Sequence, residues 1–283
     1  MKKAIIAVII LSVSITFFML NFLLVRNYTY DMLPAIDKDT YVFIKRSSVD
    51  KANRLDIIAY HFPGIADKKI IKKPVHISRL IGLPGDTVEI RNKSVFVNNS
   101  QIDKNLDLFF EYRISIDKTF DPGNLKDFNT LHESEIVKDK AWELHTSPDE
   151  ASKIAKLEGV TNVRFLSDLR RDKDYEIFPV SQFFNWNKDH YGPVVIPEAG
   201  EPLQLNYMNI KLYKRLIGVY EGHKIYLKHR KIFIDGEEVS QFTPEKNYYF
   251  VMDDNRDNCK DSRHWGFLPS DHFAGIKVFQ DNE

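Results

Sequence analysis

The sequence predicts a mainly β protein carried on one N-terminal transmembrane helix, with an α+β segment inserted into the β core. Three observations lead there. An unbroken apolar run opens the chain, short β-branched and aromatic segments divided by turn residues follow it, and a charged middle stretch holds the clearest soluble helix. The expected division is a membrane anchor over 1–26, a β-rich core over 27–100 and 206–283, and an inserted α+β subdomain over 101–205.

The anchor comes first. Lys2 and Lys3 precede the apolar run Ala4–Val25, and Arg26 closes it. At about 1.5 Å per residue the run reaches roughly 33 Å, enough for a bilayer core. It is too long for a secretory signal core, and "LLVRNYTY" offers no small-x-small cleavage site. The two lysines favour a cytoplasmic N-terminus, which places the rest of the chain on the extracytoplasmic side. Asp31 follows Val25 by six residue steps, at most about 20 Å of extended chain, so a site there works close to the membrane. Tyr28, Tyr30 and Met32 suit such an interface.

The core strands are expected over 40–46, 56–62, 76–82, 86–92 and 94–99, each β-rich and bounded by Pro, Gly, Asn or Asp. "GLPGD" (82–86) is a turn in which Pro84 presets φ and Gly85 supplies a positive φ. The stretch 78–99 is echoed by 214–236, and both copies read as a strand, a turn and a hairpin. In the middle segment Ser147 suits an N-cap, Pro148 the first helical position and Glu150 the third, with Gly159 as the stop. A strand is expected over 160–166. Trp186 and Tyr191 read as packing residues.

Composition excludes little else. Lys+Arg 40 balances Asp+Glu 40, which gives no electrostatic case for nucleic acid. The single cysteine, Cys259, cannot form a disulfide within the chain, and reads as a small packed residue rather than a reactive thiol. Asp31, Asp253, Cys259 and His264 are metal-ligand types, yet no two have the spacing of a metal motif, so no metal is expected.

Two stretches carry chemistry. "DMLPA" opens with Asp31 just past the anchor, and "DDNRDNCKDSRHWG" crowds polar residues before an apolar run. In the second, Asp254, Asn255, Arg256, Asp261, Ser262 and Arg263 are expected to satisfy one another as a buried polar loop. Together with "SRLIGLPGDTVEI", these blocks in this order resemble the type I signal peptidases (signal peptidase I, or leader peptidase, peptidase family S26). The long insert and "YKRLIGVYEG" look like the branch found in Bacteroidetes-type bacteria. The resemblance implies a signal-peptidase-like β core outside the cytoplasmic membrane, a Ser nucleophile, a Lys general base, no metal or cofactor, and signal peptides or preproteins as partners.

The chain departs from that family at four positions of one site. The resemblance puts Asp31 at the nucleophile position and Ser78 at the base position. It puts Asp253 where the family has Gly, and Cys259 where a Ser assists the Lys. Asp253 and Cys259 are then walls of the site, and Met32 and Pro34 line the peptide groove. Ser78 cannot serve as a base near pH 7, and Asp31, with a reference pKa of about 3.9, is a poor amidase nucleophile that opposes an oxyanion. The expected function is a membrane-anchored homologue in signal-peptide processing that has lost Ser/Lys proteolysis, and that holds signal peptides or partners an active paralogue. Alternatives are water activation by Asp31 with Asp253, Asp31 as base for a Ser78 nucleophile, Lys214 supplying an amine near Thr29, or a scaffold in an export or envelope complex that docks through 101–205.

Overall fold

The computed structural model describes residues 2–65, 68–136 and 141–280. Helix α1 spans Lys2–Asn21, and strand β1 follows at once over Phe22–Arg26. The apolar run is therefore not one helix to Val25, as expected. Its last residues extend and pair antiparallel with β2 (Tyr41–Lys45), Phe22 facing Lys45 and Arg26 facing Tyr41. Among the described residues no helix is long and apolar enough to cross a membrane.

Strands β3 (Ile57–His61), β4 (Val75–Gly82), β5 (Thr87–Arg91) and β6 (Ser94–Val97) fall where the turn residues predict. Gly85 has φ +81 in the turn before β5. β7 (Ser100–Gln101) ends this meander. β8 (Phe110–Ile116), β9 (Thr130–Ile136), β10 (Ala141–Thr146), α2 (Pro148–Ile154) and β11 (Val160–Phe165) form the middle of the chain. The α2 cap is as read from sequence, with Ser147 Oγ accepting from the Glu150 amide at 3.3 Å. β12 (His190–Val195), β13 (Leu203–Gln204) and α3 (Ile210–Arg215) come next. β14 (Ile225–Lys228), β15 (Lys231–Ile234), β16 (Glu237–Val239), β17 (Gln241–Phe242), β18 (Tyr248–Met252), α4 (Ser262–Trp265), β19 (Leu268–Pro269) and β20 (Phe273–Gln280) complete the order.

The largest sheet has seven strands in the order β1-β2-β20-β3-β4-β18-β19. The strand β20 lies inside this sheet, between β2 and β3. A second sheet, β12-β5-β6-β7, draws β12 from late in the chain. The sheet β11-β8-β10-β9 encloses a core of its own with Tyr112, Ile114, Leu125, Leu144, Ala151 and Ile154.

One expectation fails outright. The second copy of the echo does not begin as a strand. Arg215 ends α3, and Leu216–Tyr220 continues as a π-helical turn. Only its hairpin, β14 to β15, matches the first copy. Leu216 and Ile217 bury into the main core with Ile210, Leu212 and Tyr213, the one-sided pattern of a short amphipathic helix. Trp186 and Tyr191 pack together with ring centroids 4.6 Å apart, as expected of structural aromatics.

Candidate functional site

Asp31 sits in the loop that leaves β1. Asn27 staples this loop: its Nδ2 donates to the carbonyls of Thr29 (3.1 Å) and Asp37 (3.0 Å), and its amide donates to Thr40 O at 2.9 Å. Met32, Leu33 and Ile36 turn inward, and Met32 and Ile36 join the core cluster of Val25, Val42, Ile57 and Ile77. Met32 is only 1% exposed. It anchors the loop from below and does not line a groove, contrary to the sequence reading. Pro34, half-buried after a cis peptide bond, does not line the cleft beside Asp31 either. Pinning the loop leaves the half-buried Asp31 facing outward.

The polar loop reaches back to this turn. Asn255 N donates to Asp31 O at 2.9 Å, and Asn255 Nδ2 donates to Tyr30 O at 3.2 Å. The other polar residues each make at least one contact, several of them outside the loop, while among the described residues Arg256 Nε and Nη2 meet no hydrogen-bond partner. Asp254 is held by a bidentate pair with Arg79. Ser262 Oγ accepts from Val251 N at 3.0 Å. Asp261 is gripped by Arg263, with Nε at 2.9 Å and Nη2 at 2.9 Å. Arg256 is 2% exposed; its Nη1 meets Met252 Sδ at 3.4 Å.

Asp253, 4% exposed, follows directly on β18 and donates its amide to Asp261 Oδ2 at 3.1 Å. Its Oδ1 has no hydrogen-bond partner. Burial pushes its carboxyl well above the usual range, and Asp261 and Asp31 push it further. The Ser78 hydroxyl and Arg263 pull it back only in part. Asp31 is raised by burial too, less so because Thr29 hydrogen-bonds it. Arg263 holds Asp261 well below the carboxylate range.

Ser78 lies on β4, buried, with its Oγ 2.9 Å from Tyr60 Oη. Tyr60 belongs to the site, and no local pattern in the sequence marks it. Only the β3–β4 register, with Ile58 opposite Ser78 and Tyr60 opposite His76, brings it there. Burial and the nearby Asp253 raise the Tyr60 phenol far above its usual value. Two neutral hydroxyls thus face each other where proton transfer would need an acid and a base of matched strength. Lys214 is exposed on α3 and does not line this cleft.

Asp31 and Asp253 open on one cleft of about 210 Å³. Arg26, Thr29 and His76 stand at its polar edges, and Val25, Val75 and Ile77 form apolar wall. Arg26 is committed to Asp39 at 3.0 Å. Cys259 Sγ lies 3.6 Å from Asp261 Oδ2 and accepts from Arg263 Nη2 at 3.2 Å. Burial keeps it a thiol. Donor atoms of Asp253, Cys259 and Asp261 fall within 4.8 Å of one another. Arg263 already takes the oxygens of Asp261 and the sulfur of Cys259, so this set serves an ion pair rather than a metal.

A mainly β scaffold thus brings the polar loop after β18 against the turn that follows β1, with the cleft of Asp31 and Asp253 between them. The family model for signal peptidase, peptidase S26, matches residues 1–149 and 238–280. The chain belongs to that family. It is 24% identical over 267 residues to signal peptidase I of Buchnera aphidicola subsp. Baizongia pistaciae, covering 92% of this chain and 63% of that protein. A 41-residue stretch, 14% of this chain and 16% of the relative, is 56% identical to signal peptidase I of Aquifex aeolicus. A crystal structure of a signal peptidase I from Enterococcus faecalis aligns over 81% of this chain and 98% of that one, at 18% identity and a TM-score of 0.27.

Proposed function

We propose that this protein docks signal-peptide-bearing polypeptides at the outer face of the cytoplasmic membrane and does not cleave them by Ser/Lys chemistry. The observation that carries the reading is the pairing at the old dyad positions. Asp31 stands at the nucleophile position, and Ser78 at the base position is hydrogen-bonded to Tyr60. Acyl transfer requires a hydroxyl that gives up a proton beside a group that takes it. Among the described residues no amine lines the cleft, and the guanidinium of Arg26 at its edge is bound to Asp39. The apolar run Ala4–Val25 behind Lys2 and Lys3 supports membrane attachment in this orientation. Exposed Tyr28 (66%) and Tyr30 (40%) beside the cleft suit a headgroup interface. In this reading 27–100 and 206–283 form the docking core, and the unit within 101–205 packs around its own small core.

The test is a cleavage and cross-linking assay on a preprotein with the full chain in detergent, beside the Asp31→Ser, Ser78→Lys double variant. The unmutated protein is expected to cross-link the preprotein near Asp31 and leave it uncut. Processing by the unmutated protein, lost in Asp31→Asn, overturns the reading. That result would favour a second one, supported by the shared cleft of Asp31 and Asp253: two carboxyls holding one proton and activating water. Its signature is cleavage with an acidic optimum that both Asp31→Asn and Asp253→Asn abolish.

A further inference from the structure

We propose that the Asp31–Asp253 cleft is a slot for a primary ammonium on an aliphatic stem, the chemistry of a lysine side chain carried by a bound polypeptide. The inference rests on the docking reading and names the group that docks. Four residues, Val25, Pro74, Val75 and Ile77, give the cleft apolar sides suited to methylenes. Two carboxyls from separate segments share it, the half-buried Asp31 toward the rim and the 4%-exposed Asp253 toward the interior. Asp253 Oδ1 meets no donor. Among the described residues Asp31 forms no salt bridge, and Arg26, the cation on the rim, is taken by Asp39 at 3.0 Å and lies over the Tyr28 ring at 5.1 Å. The other cation near Asp253, Arg263, is taken by Asp261. The slot therefore offers an incoming donor the Asp31 carboxyl and an unpaired oxygen of Asp253.

The geometry selects among cations. A divalent metal of the Ca²⁺ or Mg²⁺ kind wants about six or more oxygen ligands, and aliphatic walls supply none. A guanidinium is best met by one carboxylate lying parallel to its fork. An ammonium presents three donors from a compact head, which suits two carboxyls reached from different segments.

Titration of the full chain in detergent with n-butylammonium chloride tests this, against n-butanol and n-butyltrimethylammonium, read by carboxyl-¹³C aspartate NMR. Saturable shifts of the Asp31 and Asp253 signals are expected with butylammonium. Its affinity should exceed that of butanol by about tenfold, the scale of a hydrogen bond to a charged group. The trimethylated amine, which has no N–H, should lose most of that gain. Asp31→Asn and Asp253→Asn should each bring the ratio near one. Asp31 is half-buried at the rim, so Asp31→Asn decides the matter even if Asp253→Asn fails to fold. Equal affinity for amine and alcohol, or a preference that survives Asp31→Asn, overturns the proposal. So does a response to Mg²⁺ or Zn²⁺ with none to butylammonium. Preprotein cross-linking without amine binding would sink this inference and leave docking standing. Amine binding without cross-linking would do the reverse.

Discussion

Asp253 and Asp261 lie eight residues apart on one loop, both nearly inaccessible at 4% and 0% exposure. Their chemistry is opposite. Asp261 meets Arg263 through two guanidinium nitrogens, and its carboxyl stays charged far into acid. Asp253 meets no cation of its own, and burial favours its neutral form. Depth alone therefore does not set the charge of a buried acid. The partner does, because desolvation penalises the charged form unless an opposite charge or donors compensate it. The loop divides accordingly. Its outer part is an ion-paired frame, in which Arg263 holds Asp261 and Arg79 holds Asp254. Its inner end is an unsatisfied surface facing the cleft.

The hardest way to break this comparison is Asp261→Asn. It leaves the Arg263 guanidinium buried without its counter-charge and with one carboxylate oxygen fewer to donate to. Loss of one partner of a buried pair costs about 3–5 kcal/mol. A melting temperature lower by about 10 °C or more is expected in a thermal scan at pH 7. A change within a degree or two would show that the pair frames nothing.

Asp253→Asn should act with the opposite sign. The folded carboxyl titrates above the ordinary carboxylate value of 3.8 because it is buried, so the native state binds the proton more tightly than the unfolded chain does. That contribution is fully present below pH 3.8 and is lost as pH rises through the folded value. Wild type should lose about 1.4 kcal/mol of stability per pH unit across that window relative to the Asn variant. Asp253→Asn is therefore expected to be the more stable protein at pH 7, with the gap closing toward pH 4. Denaturant titrations at several pH values check it. A destabilised variant at pH 7 would mean that Asp253 is charged there and has a counter-ion, which would merge the two halves of the loop.

What the sequence could show follows the same line between local and assembled. Strands β2 to β6 and the Ser147 cap were legible because alternation, turn residues and capping act within a few residues. The two "RLIG" tetrapeptides were not. Arg79–Gly82 is strand, zipped between β3 and β18, whereas Arg215–Gly218 is helical and packs Leu216 and Ile217 into another core. Neighbours decide between two conformations that the tetrapeptide alone leaves open. At the site, Asp31, Ser78 and Asp253 could be named from motif positions, but their company could not. Tyr60 arrives through strand register, and the partner of Asp254 is Arg79, 175 positions away, rather than a neighbour in its own loop. The family resemblance put Met32 in the groove, yet the turn rotates its side chain into the core.

The smallest expected effect concerns Ser78, whose hydroxyl lies between the two kinds of surroundings. It hydrogen-bonds Tyr60 Oη at 2.9 Å and also favours the charged form of Asp253. If Tyr60 is its main partner, Ser78→Ala strands a buried phenol and costs about 1–3 kcal/mol. Tyr60→Phe then costs a similar amount, and the double variant costs clearly less than the sum, since removing both partners leaves nothing unsatisfied. The penalty is then flat between pH 5 and 8. If Asp253 is the main partner, Tyr60→Phe is nearly silent, and the Ser78→Ala penalty grows with pH as the carboxylate loses a donor to its charged form. The Tyr60 geometry favours the first pattern. Denaturant midpoints for the two single variants and the double at pH 5 and pH 8 separate the cases, and the second pattern would move Ser78 from the frame into the cleft's own chemistry.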